Sequence, residues 1–269
     1  MKRLIISGDD FGLSPSVNEA IEEAHRQGTL TTASLMVGAK SAEDAVARAR
    51  RLPMLKVGLH LVLVDGSPIS PPQVIPHLVN RQGELSSHLF GTGINFFFGP
   101  RVRHELEAEI RAQFEAFLKT GLSLDHVNTH HHMHLHPTVA SLILKIGRNY
   151  GMRAMRLPYE PSFASWRASR NGLLRRTGTW LLLSPWVSLL KKRLRRAGVH
   201  SNDFVFGMND SGHMNLNLVL RFLGQLPPGV TEIYFHPGMD TKELEALTHR
   251  SMRQALVSSQ TQTISFSDL

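Results

Sequence analysis

Residues 2–12, Lys2-Arg3-Leu4-Ile5-Ile6-Ser7-Gly8-Asp9-Asp10-Phe11-Gly12, decide the fold class. A short apolar run leads straight into two adjacent aspartates, which reads as a strand with its polar chemistry at the C-terminal end. Ser14-Pro15 follows, an N-cap residue and a proline at the first helical position. The helix they open carries Val17, Ala20, Ile21 and Ala24 on one face and stops at Gly28. The unit is therefore a strand, a polar turn and a helix.

The same unit recurs along the chain. Further strands are expected at Thr32–Val37, Val57–Val62, Ser123–Thr129, Arg153–Leu157, Asp203–Phe206 and Thr231–His236, with a short one near Ile264–Phe266. Helices are expected at Ser41–Arg51, Arg103–Lys119, Pro137–Tyr150, near Leu216–Leu226, and over Lys242–Ser258. The Gly- and Pro-rich stretch from Asp65 to Pro100 reads as loop. Such alternation makes a parallel sheet, open or closed. Asp9-Asp10, His60, His130 and His236 each end an expected strand. Chemistry gathered at the C-terminal ends of several strands favours a closed barrel over an open sheet, which would focus on one switch point. The expectation is α/β: a single irregular, TIM-like β/α barrel over residues 1–269, a length close to the roughly 250 residues such a barrel uses.

Hydrophobic residues make up 42% of the chain, enough for a sizeable core. There is no cysteine, which excludes disulfides and thiolate zinc sites. The apolar run at the N-terminus is too short for a signal peptide, so a cytoplasmic protein is expected. The net charge of +8 is local: residues 161–202 hold nine basic residues and no acidic ones, leaving about −1 for the rest. A nucleic-acid-binding protein is not the natural reading of such a chain.

Two adjacent carboxylates at a strand end point to opposite sides, so one of Asp9 and Asp10 can hold a metal while the other accepts a proton. His60 lies in the apolar run Val57–Val62, where a lone histidine is more often a hydrogen-bonded core residue. The stretch His126–Pro137 is stronger, with histidine at six of twelve positions. On an extended chain His130, His132, His134 and His136 share one face. Asp10, His60 and one histidine of this cluster meet the two-histidine, one-carboxylate description of a catalytic metal site. His236, before Pro237-Gly238, can protonate a leaving amine, as can His134. Arg156 can hold a catalytic carboxylate in place. No G-x-S-x-G elbow or P-loop is present.

The chain resembles the YdjC-like carbohydrate deacetylases, through Ile6–Ile21, Thr29–Ala39, Val57–Val62 with Leu63, Asp125–Pro137 and Thr231–Gly238 in order. The resemblance implies a distorted barrel of the glycoside hydrolase/deacetylase type, a divalent metal (Mg2+ or Zn2+) and hydrolysis of an N-acetyl group on an amino sugar. It implies Asp10, His60 and His130 as metal ligands, Asp9 as general base and His236 as candidate general acid. Asn128 departs from the aspartate of many relatives, which bears on the support of His130. The resemblance is nearest to the hopanoid-biosynthesis-associated (HpnK) members, which implies an N-acetylglucosaminyl hopanoid lipid as substrate, with soluble chitooligosaccharides as the alternative.

The basic insertion at about 161–202 bears on that choice. It holds all three tryptophans, Trp166, Trp180 and Trp186, beside apolar Leu181–Leu183 and Val187–Leu190 and basic Lys191, Lys192 and Arg193. Its apolar runs fall short of the roughly 20 residues of a membrane span. Tryptophan, leucine and unpaired cations suit an interfacial helix pair at an anionic membrane surface, and a glycolipid partner. A barrel helix with a basic solvent face stands against this. Two rivals remain: a metal-dependent phosphoesterase and a non-catalytic metal-binding protein at the membrane surface. The choice between monomer and homo-oligomer stays open.

Overall fold

The computed structural model describes residues 2–269, with only the backbone at 89, 90, 95 and 98. Strand β1 (Lys2–Phe11) and helix α1 (Pro15–Arg26) form the opening unit. Ser14 caps α1 by accepting the Val17 N–H, with Pro15 in the first turn, as the sequence leads one to expect. Then come β2 (Thr32–Leu35), α2 (Ala42–Arg50) and β3 (Lys56–Leu61). Helices α3 (Leu89–Phe98) and α4 (Pro100–Lys119) precede β4 (Leu124–Thr129) and α5 (Pro137–Gly147). The basic insertion folds as α6 (Ser162–Ser169) and α7 (Leu173–Ala197). The chain continues through β5 (Phe204–Phe206), α8 (Leu216–Leu223), β6 (Gly229–Phe235), α9 (Lys242–Thr248), α10 (Arg250–Ser258) and β7 (Gln262–Ile264).

The strands pair in the order β4-β3-β2-β1-β6-β5, all parallel, with β7 beside the first half of β1. The sheet curls into a half barrel, which fits the expected distorted barrel. Isolated bridges carry the ring onward, Val127 to Met155 and Ala154 to His200. No regular strand forms at Arg153–Leu157. The reason is local: the Asn202 side-chain amide, not backbone, takes both the N–H and the C=O of Leu157 at 2.8 Å.

Other expectations give way elsewhere. The stretch 65–100 is not all loop, because Leu89–Phe98 winds into α3. The helix expected over Lys242–Ser258 breaks at His249, whose extended ψ of 136° ends α9 while its ring accepts the Ser251 N–H to start α10.

Period two along β1 sorts the strand into two faces. Leu4 and Ile6 join the main core against the helices. Ile5 faces Val230, Ala154, Ile264 and Phe266 in a small second core at the barrel floor. Above that floor the interior turns polar, with Ser7 and Asp9 next on the same face and both buried.

Candidate metal centre

The register of β1 slips between Gly8 and Phe11, and Asp10 takes the left-handed region at φ 63°. Aspartate tolerates that region better than most residues, and such an irregularity re-aims a side chain. Asp9 stays in the barrel interior while Asp10 swings to the rim. The turn is pinned by buried Asn18, which accepts the Gly12 N–H at 2.7 Å and donates to Ser41 O and Asp44.

At the rim three atoms converge. Asp10 Oδ1 lies 3.2 Å from His60 Nε2 and 3.3 Å from His130 Nδ1, and the two nitrogens are 3.4 Å apart. His60 Nδ1 faces Asn128 Oδ1 at 2.7 Å. Asn128 turns its Nδ2 to Ser34 Oγ and Asp9 Oδ1, so its carbonyl is what His60 meets, and His60 carries its proton on Nδ1. His60 Nε2 is then the ring nitrogen free to ligate a metal, and it faces a carboxylate. Asp10 Oδ1 is buried without a hydrogen-bond partner. Donor atoms this close call for a cation among them. Ligand atoms about 2.1 Å from one tetrahedral ion stand ~3.4 Å apart, the size of this triangle. The residues present therefore fit a divalent metal. Asp65, His130 and His131 form a second, more exposed group of the same kind.

Beneath the triangle lies Arg156, fully buried. It donates to both Asp9 oxygens at 2.6 and 2.9 Å and to both Glu232 oxygens at 2.9 and 2.6 Å. Its guanidinium also stacks 4.6 Å from the Tyr234 ring centre. Burial alone raises a carboxyl, yet Arg156 and His60 hold Asp9 well below the usual carboxylate range. Asp10 is likewise lowered against its burial by His130 and His60. Asp9 Oδ1 takes hydrogen bonds from Ser34, Asn128 and Arg156, whereas Oδ2 takes one. Oδ2 keeps capacity for a further proton donor.

The histidine tract does not run extended. His131 and His132 sit at φ 53° and 54°, in a tight turn that follows β4. The shared face expected of the even-numbered histidines is therefore lost, and each takes a separate place. His130 joins the triangle, His132 Nε2 meets Tyr234 Oη at 3.1 Å, and His136 caps α5 on the Thr138 N–H. His134 is fully buried with Nδ1 on Thr129 Oγ1 at 2.7 Å. Burial and the charge of Arg156 push its pKa down to about 3. Buried in this way, His134 is held in its neutral form at pH 7, with Nδ1 turned to Thr129.

His236 follows β6 directly and is half-buried, its Nδ1 3.2 Å from Ser211 Oγ and its backbone N–H on Glu243. Asn128 supports His60, not the expected His130. In the basic insertion Trp186 is 39% exposed, Trp180 and Lys191 are half-buried, and Lys192 is exposed. Arg193 instead ties α7 to Pro137 O and Ser141 Oγ of α5. Arg176 of the same insertion is buried on Asp210 and Glu160. Among the described residues no helix is long and apolar enough to cross a membrane.

Sequence reasoning missed Glu232, Tyr234, Ser7 and Ser34. The signal for the first two was available: Glu232, Tyr234 and His236 alternate within an otherwise apolar strand, a polar stripe of period two.

Residues 3–262 match the protein family described as YdjC-like protein. A carbohydrate deacetylase of Brevibacillus brevis is 42% identical over 151 residues, 55% of this chain and 56% of that one. A carbohydrate deacetylase of Thermoanaerobacter pseudethanolicus is 27% identical over 245 residues, 91% of this chain and 84% of that one. The chain thus spans little more than half the length of the first of these relatives. A solved Enterococcus faecalis structure, described as a candidate cellobiose-phosphate cleavage protein, superimposes with a TM-score of 0.77 at 24% identity, over 99% of this chain and 98% of that one. At that identity the likeness concerns the fold alone.

Proposed function

The chain belongs to the YdjC-like protein family, and from that premise we propose that it is a metal-dependent carbohydrate N-deacetylase. The observation that carries the reading is the convergence of Asp10 Oδ1, His60 Nε2 and His130 Nδ1, linked through Asn128 to a buried, ionised Asp9. The two relatives above are described as carbohydrate deacetylases.

In this mechanism Asp10, His60 and His130 would hold the ion. A bound divalent cation supplies Lewis-acid polarisation of the acetyl carbonyl and lowers the pKa of an attacking water. Asp9 takes the proton of that water on Oδ2, its less occupied oxygen. Arg156 keeps Asp9 ionised and fixed in orientation throughout, and Glu232 holds Arg156 from the other side. His236, at the open rim and steadied by Ser211, protonates the amine as the C–N bond breaks. Acetate and a free amino sugar leave. Mixed nitrogen and oxygen ligation at this spacing favours zinc or a first-row neighbour over magnesium.

The finer reading of the substrate is an N-acetylglucosaminyl lipid of the hopanoid kind, taken from a membrane surface. A cavity of about 410 Å³ opens beside His131 and His132 and is walled by Ile94, Phe97, Met133, Leu183, Trp186 and Met208. Such an apolar wall suits a lipid better than a second hydrated sugar. Outside it, Leu174, Leu181 and Leu182 are exposed on α7, with Lys192, Arg195 and Arg196 exposed on the same helix. That mixture suits an anionic bilayer surface.

The test is acetate release from N-acetylglucosaminyl substrates, lipid-linked and soluble, with chelated and metal-restored enzyme side by side. Metal-dependent release from the lipid-linked sugar alone supports both parts of the reading. Release from soluble chitooligosaccharides as well keeps the chemistry and removes the need for the lipid. No release with the metal fully bound, and hydrolysis of a phosphate ester instead, sinks the deacetylase. Asp9→Asn with metal retained should lose turnover by at least about 100-fold, the usual worth of a general base.

A further inference from the structure

His126 belongs to the histidine-rich run in sequence, yet it faces the barrel floor, away from the metal triangle. It is fully buried. Its ring stacks on Phe266, with centroids 4.4 Å apart and planes at 25°. Gly58 makes the room, since a β-carbon there would stand 2.4 Å from the imidazole. His126 Nδ1 lies 2.9 Å from Asp125 Oδ2, and Nε2 lies 3.0 Å from Ser34 Oγ. Ser34 Oγ is in turn 2.9 Å from Asp9 Oδ1 and 2.9 Å from Asn128 Nδ2.

Counting protons settles the directions. Asp9 is a carboxylate against Arg156 and only accepts, so the single Ser34 hydroxyl proton goes to Asp9. Asn128 donates into one lone pair of Ser34 Oγ. The other lone pair faces His126 Nε2, and two lone pairs at 3.0 Å in a dry interior are costly unless a proton lies between them. Nε2 therefore carries a proton. Nδ1 faces the Asp125 carboxylate, which also accepts, so Nδ1 carries one too.

We propose that His126 is a positioning residue with an N–H on each ring nitrogen, whose Nε2–H holds the Ser34 hydroxyl on Asp9 Oδ1 and so leaves Asp9 Oδ2 to face the attacking water. The proposal rests on Asp9 being the general base, as argued above. The charged neighbours of His126 agree with it. Asp125 stands on its own strand, and Asp9 stands beyond Ser34, with Arg156 and His60 on the far side of Asp9. The groups that β3 and the C-terminal turn press against the ring, Gly58 and Phe266, are uncharged. Burial would raise the Asp125 carboxyl, but the His126 charge and the Ser267 N–H bring it down to about 2. Phe266 and Ser267, which clamp ring and counter-ion, lie past the 3–262 stretch matched to the family.

Nitrogen-15 NMR of the full chain reads this directly, with the His126 ring assigned by its loss in His126→Gln. Both ring nitrogens should show the protonated shift at pH 7. One bare nitrogen at pH 7 overturns the proposal. Kinetics gives the second arm. His126→Gln keeps an N–H donor towards Ser34 and should retain kcat within about threefold. His126→Leu loses the donor and should drop kcat about 10- to 100-fold with KM within about twofold, the worth of one hydrogen bond to an ionised group. Equal losses in two folded variants overturn the positioning role. If His126→Leu fails to fold, the NMR arm decides alone. If wild type releases no acetate from any sugar, the deacetylase reading fails, while the ring protonation is still read independently.

Discussion

Replacing Arg156 by methionine separates electrostatics from packing at the barrel centre. Arg156→Met keeps most of the side-chain volume and removes the cation hydrogen-bonded to both Asp9 and Glu232, which are buried. Breaking a buried pair in this way costs about 3–5 kcal/mol, because the carboxylates are left uncompensated. At about 2 °C per kcal/mol for a chain of this size, Tm at pH 7 should fall by about 6–10 °C. The pH dependence carries the sharper test. In wild type Asp9 is held below its unfolded value, so its contribution to stability is present at neutral pH and is lost only as pH falls through that depressed pKa. In the variant burial acts on Asp9 without Arg156 and raises its carboxyl above the unfolded value. The penalty is then full at pH 7 and is relieved as pH falls towards about 4. Calorimetric melts of both proteins from pH 7 down to 4.5 should show the gap in Tm shrinking by half or more. A gap that stays constant over this range would mean that the loss is one of shape alone, and the account of Arg156 as a shared counter-ion would be refuted.

Three further outcomes are expected. Asp10→Ala, His60→Ala and His130→Ala should each abolish stoichiometric zinc binding by equilibrium dialysis, whereas Asn128→Ala, which removes the partner of His60 Nδ1, should weaken it about 10- to 100-fold. Gly58→Ala forces a methyl into the His126 ring and backbone and should cost about 1–3 kcal/mol by urea denaturation, in contrast to a near-neutral Gly178→Ala on α7, where a β-carbon meets nothing. Leu181→Ser with Leu182→Ser should reduce co-sedimentation with anionic vesicles while leaving hydrolysis of a soluble acetylated sugar within about twofold, since both leucines are exposed on α7.

Much of the candidate site was legible because strand ends are legible. Asp9-Asp10, His60 and His236 each interrupt a largely apolar run and His130 follows a strand end, and a polar residue at the end of a buried parallel strand has few reasons to be there other than chemistry. That Asp9 and Asp10 point to different sides was readable from period two, though the left-handed backbone of Asp10 was not. The histidine tract misled, since no local pattern shows that His131 and His132 leave the extended region. Glu232 and Arg156 meet across 76 residues, and Asn202 replaces the backbone of a missing strand across 45. Partners at such separations are set by the closing of the sheet, which a window along the chain does not contain.

The placement of β7 bears on how the chain reaches this state. Arg3, Leu4 and Ile5 pair with Gln262, Thr263 and Ile264, and Lys2–Gly8 pair with Gly229–Phe235. The central strand thus emerges from the ribosome well before two of its three neighbours. Until then its apolar edge stays open, a template for wrong pairing, and closing a loop of this length adds an entropic barrier. Synthesis of this protein should therefore leave a long-lived, chaperone-dependent nascent chain, with Asp9 and Asp10 unable to settle until residues 229–264 have emerged.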